Sequence, residues 1–400
     1  MKIAFVTFEY PPFILGGAGI YAQNVTEELA KLGHQITVFT PRYNDLDRNK
    51  YAKDNIQFVE IPINGFLPSK ALQFWLLLPK AIKETDRKNK FDVIHFNSLS
   101  YWFLKKKLAD APHIVTIHHL VVDARKNNQL NIISRLRNIR TEDSLILPLF
   151  ERLNIKRANR LIAVSNFTKE RIIKIYKIPD NKIEVIYNGV DKKRYHFKKE
   201  ELTQFKKQLQ LNNNPIILFV GRVDDRRKGL DLLIRAIKIV LGNIDANLLI
   251  VGKGDQNKAK ILAQKMNISS NIFFTGYIDD ITLKKCYAIC DLFVCPSRLE
   301  GFGLTILEAL MMNKQVIATN VGSIPEVAEY STNITLIDRL DPKMLGEAII
   351  NNLGDQKRTI LITNNHSIPN DYLSEFNWEI VSQKLSHIYM GLCCIRMNKQ

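Results

Sequence analysis

The feature that most constrains the fold is an alternation of strand-like apolar runs with amphipathic helical stretches, which starts at Lys2 and starts again at Ile216. In the first stretch, strands are predicted over 2–8, 35–40, 56–61, 92–96, 113–118, 160–164 and 183–186, and a helix over 19–32. In the second, strands are predicted over 216–221, 247–251, 271–274, 291–295 and 315–319, and helices over 229–241, 257–266, 280–288 and 304–312. Such alternation is typical of parallel sheets covered by helices on both faces. The predicted fold class is therefore α/β, with two doubly wound, Rossmann-like domains.

The limits of the two domains follow from the place where this alternation lapses. Residues 195–215 are rich in Lys, Gln and Asn. We therefore predict an N-terminal domain over 1–195, a linker over 196–215 and a C-terminal domain over 216–370. A last helix, about 371–391, is predicted to pack back on the N-terminal domain. In open α/β sheets ligands bind beyond the carboxyl ends of the strands, so two such sheets facing each other predict a ligand cleft.

Composition narrows the class of protein. The longest apolar stretch, 74–78, is broken by Pro79 and is far shorter than the ~20 residues of a membrane span. The chain reaches Glu9 too early for a signal peptide. Its five Cys form no Cys-x-x-Cys pair, which fits a reducing compartment. A cytoplasmic protein is predicted.

Positive charge is concentrated in the first half of the chain. The net charge is +17, of which residues 1–200 carry +14 and residues 201–400 carry +3. This excess predicts an anionic partner: a membrane surface, nucleic acid or an anionic substrate. General Lys richness on solvated faces is the alternative. Neither zinc-ligand spacing nor interleaved aromatic and basic residues supports nucleic acid.

Two segments, 69–80 and 101–107, combine aromatic and aliphatic residues with Lys, which is the composition of an interfacial helix. They lead to the hypothesis that the protein docks peripherally on an anionic membrane surface, at the inner face of the membrane. The alternative is a core helix over 74–78 with solvated lysines around it.

A glycine-rich run, Gly16-Gly17-Ala18-Gly19, lies between the first predicted strand and the first helix. Glycines let a backbone approach a phosphate closely, and a helix N-terminus adds N–H donors. Residues 17–22 also match the Gly-x-Gly-x-x-Ala pattern of dinucleotide oxidoreductases. Against that class, the glycines come late after Phe8, and the second strand ends at Thr40 without an acid for the ribose. A purely structural turn is the other alternative.

His118 ends a predicted strand and is the candidate polar residue of that loop. His119 is its rival, because alternation along a strand directs only one of the two towards the cleft. A structural histidine is the alternative interpretation.

Two basic residues open the second domain. Arg222 follows its first strand, and Lys228 precedes the next helix. An Arg fork and a Lys point charge in these positions suit a diphosphate. The neighbouring Asp224 and Asp225 leave a simple charged loop as the alternative.

The most informative segment is 296–310, which predicts a strand end, a tight Gly-Phe-Gly loop and a helix. Glu300 would lie in that loop, and the first helix amides would point at an anion. These amides belong to Phe302, Gly303 and Leu304. Glu308, about one turn into the helix, would suit a ribose diol, whereas an exposed helix acid is the alternative.

Glu300 and Glu308 form a Glu-x7-Glu motif, and nearly the whole chain resembles the retaining glycosyltransferases of the GT-B fold, specifically glycosyltransferase family four, also called group 1. Other matching pieces follow in order: Gly16-Gly17, His118, Ala163-Val164-Ser165, Tyr187-Asn188-Gly189-Val190-Asp191, Gly221-Arg222, Lys228-Gly229, Gly252-x-Gly254-Asp255 and Gly322-Ser323-Ile324-Pro325-Glu326-Val327.

The resemblance implies a nucleotide-sugar donor bound mainly by the C-terminal domain. It implies that Arg222 and Lys228 hold the diphosphate, with help from Gly16 and Gly17, and that Glu308 takes the ribose hydroxyls.

The resemblance also assigns the remaining donor contacts. Glu300 and the three helix amides would hold sugar hydroxyls and phosphate. The loop 276–278, ending at Ile278, would flank the base, and His118 would lie beside the transferred sugar. The residues implied as catalytic are His118, Glu300, Arg222 and Lys228.

The implied reaction transfers a hexose to a hydroxyl of a glycan or a lipid-linked cell-envelope precursor, with retention of anomeric configuration. Two cations and helix amides would stabilise the leaving diphosphate, so neither a metal nor another cofactor is expected. Asp45-Leu46-Asp47 is a formal Asp-x-Asp motif, and we interpret it as a solvated loop.

The sequence departs from the family at two places. Val321-Gly322-Ser323 replaces the usual glycine pair before Pro-Glu-Val, and His118-His119 replaces the usual His-Asp. Either change is expected to affect the acceptor side, and neither touches the donor clamp of Arg222 and Lys228. The alternatives are a nucleotide-sugar epimerase or phosphorylase on the same scaffold, and a catalytically silent binding homologue. The intact glutamate pair and cationic residues argue against a silent homologue.

Overall fold

The structure is a computed structural model that describes residues 1–14, 16–43, 51–63, 70–97, 109–123, 147–191, 197–359 and 375–397. The chain divides into two units. Unit 1 comprises Met1–Gly189 and Glu375–Gln400, and unit 2 comprises Val190–Ser374. No helix in the described ranges combines the length and apolarity needed to cross a membrane.

Unit 1 is built on a seven-stranded parallel sheet. Its strands are β1 (Lys2–Val6), β2 (Gln35–Arg42), β3 (Ile56–Pro62), β4 (Val93–Asn97), β5 (His113–Ile117), β6 (Arg160–Ala163) and β7 (Ile183–Val185). They lie in the order β3-β2-β1-β4-β5-β6-β7. The order reverses between β1 and β4, and ligands of doubly wound sheets bind at such a switch point.

Helices flank this sheet. They are α1 (Gly17–Lys31), α2 (Lys70–Lys88), α3 (Leu147–Arg157) and α4 (Asn166–Tyr176). Helix α1 buries Tyr21, Val25 and Leu29, spaced one turn apart on one face. It ends before Gly33, whose φ of +86° is the left-handed conformation that glycine adopts most easily.

Helix α2 shows which residues of segment 69–80 belong to the core and which are exposed. The helix runs through Pro79. Phe74 and Leu78 are buried in the core of unit 1, so the core-helix interpretation is correct for these two residues. Leu76 and Leu77 are 44% and 43% exposed. Segment 101–107 lies outside the described residues.

Unit 2 is built on a six-stranded parallel sheet. Its strands are β8 (Ile216–Val220), β9 (Asn247–Val251), β10 (Ile272–Gly276), β11 (Leu292–Cys295), β12 (Gln315–Thr319) and β13 (Ile334–Ile337). They lie in the order β10-β9-β8-β11-β12-β13. Its helices are α5 (Lys199–Gln208), α6 (Leu230–Val240), α7 (Asn257–Lys265), α8 (Asp280–Ile289), α9 (Leu304–Met311), α10 (Ile324–Ala328) and α11 (Pro342–Thr359). The strand order reverses between β8 and β11.

The predicted linker over 196–215 contains helix α5, which corrects the sequence interpretation. Phe205 of this helix is buried, and Glu201 forms an ion pair of 2.8 Å with Lys285 of α8. Because these contacts lie within unit 2, α5 belongs to that unit.

The last helix, α12 (Trp378–Met397), belongs to unit 1. Ser386 Oγ is 2.8 Å from His34 Nε2. The Tyr389 hydroxyl hydrogen-bonds Nδ1 of His95, a fully buried residue of β4. A Cβ atom on Gly189 would lie 2.5 Å from the Trp378 backbone N, so the chain packs closely where it leaves and re-enters this unit.

Candidate functional site

In unit 2 the loops that follow β8 and β11 lie against each other at the switch point. Gly229 has a φ of +70°, and a Cβ atom there would be 1.9 Å from the Pro296 carbonyl oxygen. Any other residue would force the two loops apart. The close approach fixes Lys228, the neighbour of Gly229, beside the β11 loop.

Arg298, which no sequence motif identified, holds the same two loops together. Its guanidinium contacts both carboxylate oxygens of Asp231, at 2.7 and 2.8 Å, and donates to the Arg226 carbonyl. Its backbone N–H donates to the Arg227 carbonyl at 2.6 Å. Burial raises the pKa of Asp231, but Arg298 outweighs burial and the pKa lies below its usual range. The planar, two-bond contact stabilises the loop that carries Lys228.

Lys228 and Glu300, distant in sequence, form an ion pair. Lys228 Nζ is 2.8 Å from Glu300 Oε2, and the side chains are 27% and 12% exposed. The Ser297 hydroxyl donates to the same Glu300 oxygen at 3.3 Å. Burial lowers the pKa of Lys228, whereas Glu300 raises it, and the net pKa lies above its usual range. The ammonium is therefore fully charged near neutral pH.

The backbone of Glu300 rests on the segment that departs from the family. Gly322 has a φ of +61°, and a Cβ atom there would lie 2.1 Å from the Glu300 carbonyl oxygen. The Ser323 N–H donates to that oxygen at 3.2 Å. The segment Val321-Gly322-Ser323, which departs from the family pattern, therefore supports the backbone of Glu300 directly.

The Gly-Phe-Gly loop presents the N-terminus of α9. Gly303, with a φ of +91°, is the N-cap, and Phe302 is buried. The Gly303 carbonyl accepts from the N–H groups of Ile306 and Leu307. The first N–H groups of a helix have no partner within it and carry partial positive charge. The first turn of α9 contains no acidic residue, so this end favours an anion.

Glu308 is not an exposed helix acid. Its side chain is 14% exposed. The Tyr287 hydroxyl donates to Glu308 Oε2 at 2.8 Å, and Lys284 Nζ lies 3.9 Å from Glu308 Oε1. Burial raises the pKa of Glu308, while Lys284 and Tyr287 lower it, and the net pKa lies above its usual range.

Sequence reasoning missed Tyr287 and Lys284. Both lie on α8, three residues apart, so one face of that helix brings them to Glu308. Lys284 is only 5% exposed, which is unusual for a lysine. A lysine and a tyrosine at this spacing, in a helix preceding the Glu-x7-Glu motif, were the available signal.

Arg222 lies on the β9 side of the same edge. Its guanidinium is 3.5 Å from Asp224 Oδ1, and its side chain is 35% exposed. Gly221, between β8 and Arg222, packs so closely on Gly252 that a Cβ atom on Gly252 would be 1.9 Å from its carbonyl oxygen. The Lys228 stem also lies over Gly221, since a Cβ atom there would be 3.5 Å from Lys228 Cγ. Arg222 and Lys228 therefore flank the same glycine.

The loop 276–278 joins this edge through backbone contacts. The Gly252 N–H donates to the Gly276 carbonyl at 3.0 Å. Tyr277 is 61% exposed, and Lys253 Nζ lies 3.9 Å from the centre of its ring. Ile278 is half-buried and precedes Asp279, the N-cap of α8.

In unit 1, helix α1 begins at Gly17, two residues earlier than predicted, with Gly16 as its N-cap, and a carboxylate already contacts this end. The Gly16 N–H donates to Glu9 Oε2 at 2.9 Å. A Cβ atom on Gly16 would meet nothing within 4 Å, so packing does not require glycine there. Glu9 could not be selected from the sequence, because a lone acid forms no motif.

His118 follows β5, the neighbour of strand β4 at the switch point of unit 1. Its Nε2 is 2.6 Å from Asn97 Oδ1. The Asn97 amide nitrogen donates to Thr7 Oγ1 and to the Ala18 carbonyl, so its oxygen must accept, and Nε2 of His118 carries the proton. Burial lowers the pKa of His118 to about 4, so the ring is neutral at physiological pH. His119, its rival, is exposed.

Within the described residues, no three His, Cys, Asp or Glu side chains are grouped to hold a metal. Asp45 and Asp47 lie outside the described residues.

The site of unit 2 combines two groups of side chains. Two cations and a helix N-terminus suit phosphate, and two carboxylates beside them suit hydroxyl groups.

Comparison with known proteins agrees with this architecture. An uncharacterised glycosyltransferase of Methanocaldococcus jannaschii is 28% identical and aligns over 97% of this chain and 98% of its own. The phosphatidyl-myo-inositol mannosyltransferase of Mycolicibacterium smegmatis is 25% identical over 97% and 93% of the two chains. The crystal structure of Anabaena HepE in complex with UDP and glucose superposes with a TM-score of 0.73, covering 98% and 100% of the chains at 20% identity.

Two family models match the chain, one in each half. Residues 15–194 match Glycosyltransferase Family 4, and residues 200–367 match Glycosyl transferases group 1. With two parallel-sheet α/β units and GT-B structural neighbours, the chain belongs to the group 1, or family four, glycosyltransferases of the GT-B fold.

Proposed function

We propose that the protein is a retaining, metal-independent hexosyltransferase that uses a nucleotide-sugar donor and a hydroxyl acceptor in a glycan or a lipid-linked cell-envelope precursor. The observation that carries this proposal is the Lys228–Glu300 pair beside the N-terminus of α9. It places a cation, a carboxylate and helix N–H groups on one edge of one sheet. The UDP and glucose bound by Anabaena HepE support a donor of this class.

Each donor part has a proposed partner in unit 2. Lys228 and Arg222 take the diphosphate, together with the N–H groups at the start of α9. Glu300 accepts hydrogen bonds from sugar hydroxyls, and Glu308 accepts them from the ribose. Ile278 flanks the base. The exposed ring of Tyr277 gives the same loop a stacking surface.

The proposed catalysis is electrostatic. As the sugar becomes oxocarbenium-like, negative charge grows on the leaving diphosphate. Lys228 is held in place by Glu300 and Ser297, so it stabilises that charge without reorganising. No step in this scheme requires a metal or another cofactor.

Retention of configuration is proposed through attack on the face from which the phosphate departs. His118 is not assigned as a nucleophile. The proposed roles of Gly16 and Gly17 at the diphosphate, and of His118 beside the transferred sugar, come from the family resemblance. The epimerase and phosphorylase alternatives have no observation in their favour.

The test is a screen of nucleotide sugars for thermal stabilisation, followed by donor hydrolysis with the best ligand. We expect one nucleotide sugar to raise the melting temperature in the wild type and not in a Lys228→Ala variant. Stabilisation that is equal in both proteins would remove the proposed donor site.

We also propose that unit 1 docks peripherally on anionic membrane to reach a lipid-linked acceptor. Leu76 and Leu77 of α2 are exposed, and Lys80 and Lys83 lie exposed about one and two turns further on. Each Lys near an anionic surface contributes about 1 kcal/mol. The phosphatidyl-myo-inositol in the name of the Mycolicibacterium relative supports a lipid acceptor.

Sedimentation with vesicles tests the docking. We expect pelleting with anionic vesicles, less pelleting as salt is added, and loss of pelleting in a Leu76→Ser, Leu77→Ser double variant. A matched double change at the exposed Leu149 and Ile261 should leave pelleting unaltered. No pelleting of the wild type at low salt would leave a water-soluble acceptor as the better proposal.

A further inference from the structure

The cation and the carboxylate proposed for different parts of the donor contact each other directly. Lys228 Nζ and Glu300 Oε2 are 2.8 Å apart, and Ser297 holds the same carboxylate oxygen. Both side chains are largely shielded from water. Screening at such a position is weak, so a third charge that binds to Lys228 also feels Glu300.

Donor and product differ in charge at the phosphate that faces this pair. In a nucleotide sugar, the sugar-bearing phosphate has one ester bond and one anhydride bond and carries one negative charge. After transfer it becomes a terminal phosphate, which carries about −1.5 to −2 charges near neutral pH. The additional charge lies beside Lys228 and, unavoidably, near the carboxylate of Glu300.

We propose that Glu300 weakens the binding of the nucleoside diphosphate product and so promotes its release after transfer. Hydrogen bonds from the sugar hydroxyls offset the repulsion between Glu300 and the donor. The product has no sugar, so nothing offsets the repulsion for it. This inference rests on the proposed function, in which Lys228 meets the diphosphate and Glu300 the sugar.

The inference predicts that a change at Glu300 alters the ratio between the affinities for product and donor, and does not alter both affinities equally. Replacing Glu300 with Gln keeps the shape of the side chain and removes its charge. The product should then bind about tenfold more tightly, as expected for the loss of one repulsive charge pair near a protein surface. The donor should bind no more tightly, because a neutral amide accepts hydroxyl hydrogen bonds less strongly than a carboxylate does.

The test measures dissociation constants by isothermal titration for UDP with UDP-glucose, GDP with GDP-glucose and ADP with ADP-glucose. Wild type, Glu300→Gln, Glu308→Gln and Lys228→Ala are compared, with melting temperatures to verify folding. Glu308→Gln is the matched control, because its proposed partner is the ribose, which both ligands of a pair contain. Its effect on the two ligands should therefore be equal.

The result expected is a product-to-donor affinity ratio that rises about tenfold in Glu300→Gln and is unchanged in Glu308→Gln. A ratio that stays constant in Glu300→Gln overturns the inference. If Lys228→Ala still weakens both ligands in that case, the proposed donor site stands and only the inference fails. If no pair binds to the wild type or to Glu300→Gln, both the inference and the donor site fail.

Discussion

Replacing Tyr287 with Phe tests the assignment of Glu308 to the ribose. The phenol donates to Glu308 Oε2 at 2.8 Å, and the ring is fully buried against Phe293. Phe retains the ring and removes only the donor. The core should therefore keep its packing while Glu308 loses a hydrogen bond to its charged form.

The magnitude follows from that one hydrogen bond. A hydrogen bond to a charged group contributes about 1.5–3 kcal/mol, and 1.36 kcal/mol corresponds to one pKa unit. Burial already raises the pKa of Glu308, and Tyr287 is one of the groups that lower it. Losing Tyr287 should therefore cost the ionised form of Glu308 about 1.5–3 kcal/mol of stabilisation relative to its protonated form, which raises its pKa further.

The sign of the pH effect follows directly. Ribose hydroxyls donate to a carboxylate, so protonation of Glu308 weakens nucleotide binding on the acidic side. In Tyr287→Phe the acidic loss of affinity should begin at a higher pH than in the wild type. At alkaline pH the two proteins should bind more nearly alike.

The assay is titration of the nucleoside diphosphate found in the screen, from mildly acidic to mildly alkaline pH. Its 2′,3′-dideoxy analogue serves as the control, because it cannot donate to Glu308. The reasoning is refuted if the acidic loss of affinity begins at the same pH in Tyr287→Phe and the wild type. It is also refuted if the dideoxy analogue shows the same shift in pH dependence as the ribonucleotide.

Three further results are expected. Arg222→Ala and Lys228→Ala should each cost ~2–4 kcal/mol of transition-state stabilisation, seen in kcat/KM for donor hydrolysis; unchanged turnover in both would remove the diphosphate assignment. Transfer should persist in EDTA, and complete loss that Mg²⁺ or Mn²⁺ restores would contradict the electrostatic scheme. Gly229→Ala should lower both the melting temperature and donor affinity, because its Cβ would lie 1.9 Å from the Pro296 carbonyl; Gly354→Ala in α11, where a Cβ meets nothing within 4 Å, should lower neither.

The fold was largely predictable because buried parallel strands read as continuous apolar runs. The strands predicted over 247–251 and 315–319 have the same bounds in the structure. Helix α5 was hidden because Phe205 is its only buried residue among those described, so its apolar period is too weak to separate it from a linker.

The residues of the site could be predicted from sequence motifs, but the contacts between them could not. Lys228 and Glu300 were selected because each follows a strand at the edge where ligands bind. Their pairing depends on the close approach of Gly229 to Pro296, which no local pattern encodes. Tyr287 was missed because an aromatic residue in a helix usually indicates core.

The return of α12 to unit 1 sets the order in which the protein can be completed during translation. The chain between Gly189 and Glu375, all of unit 2, leaves the ribosome before the residues that close unit 1. At bacterial or eukaryotic elongation rates this interval lasts roughly 10–40 s. Throughout it, His95 lacks the hydroxyl of Tyr389, and the groove for α12 is open to chaperones or to misassembly. A premature stop codon soon after Ser374 would therefore damage the half of the protein that was synthesised first.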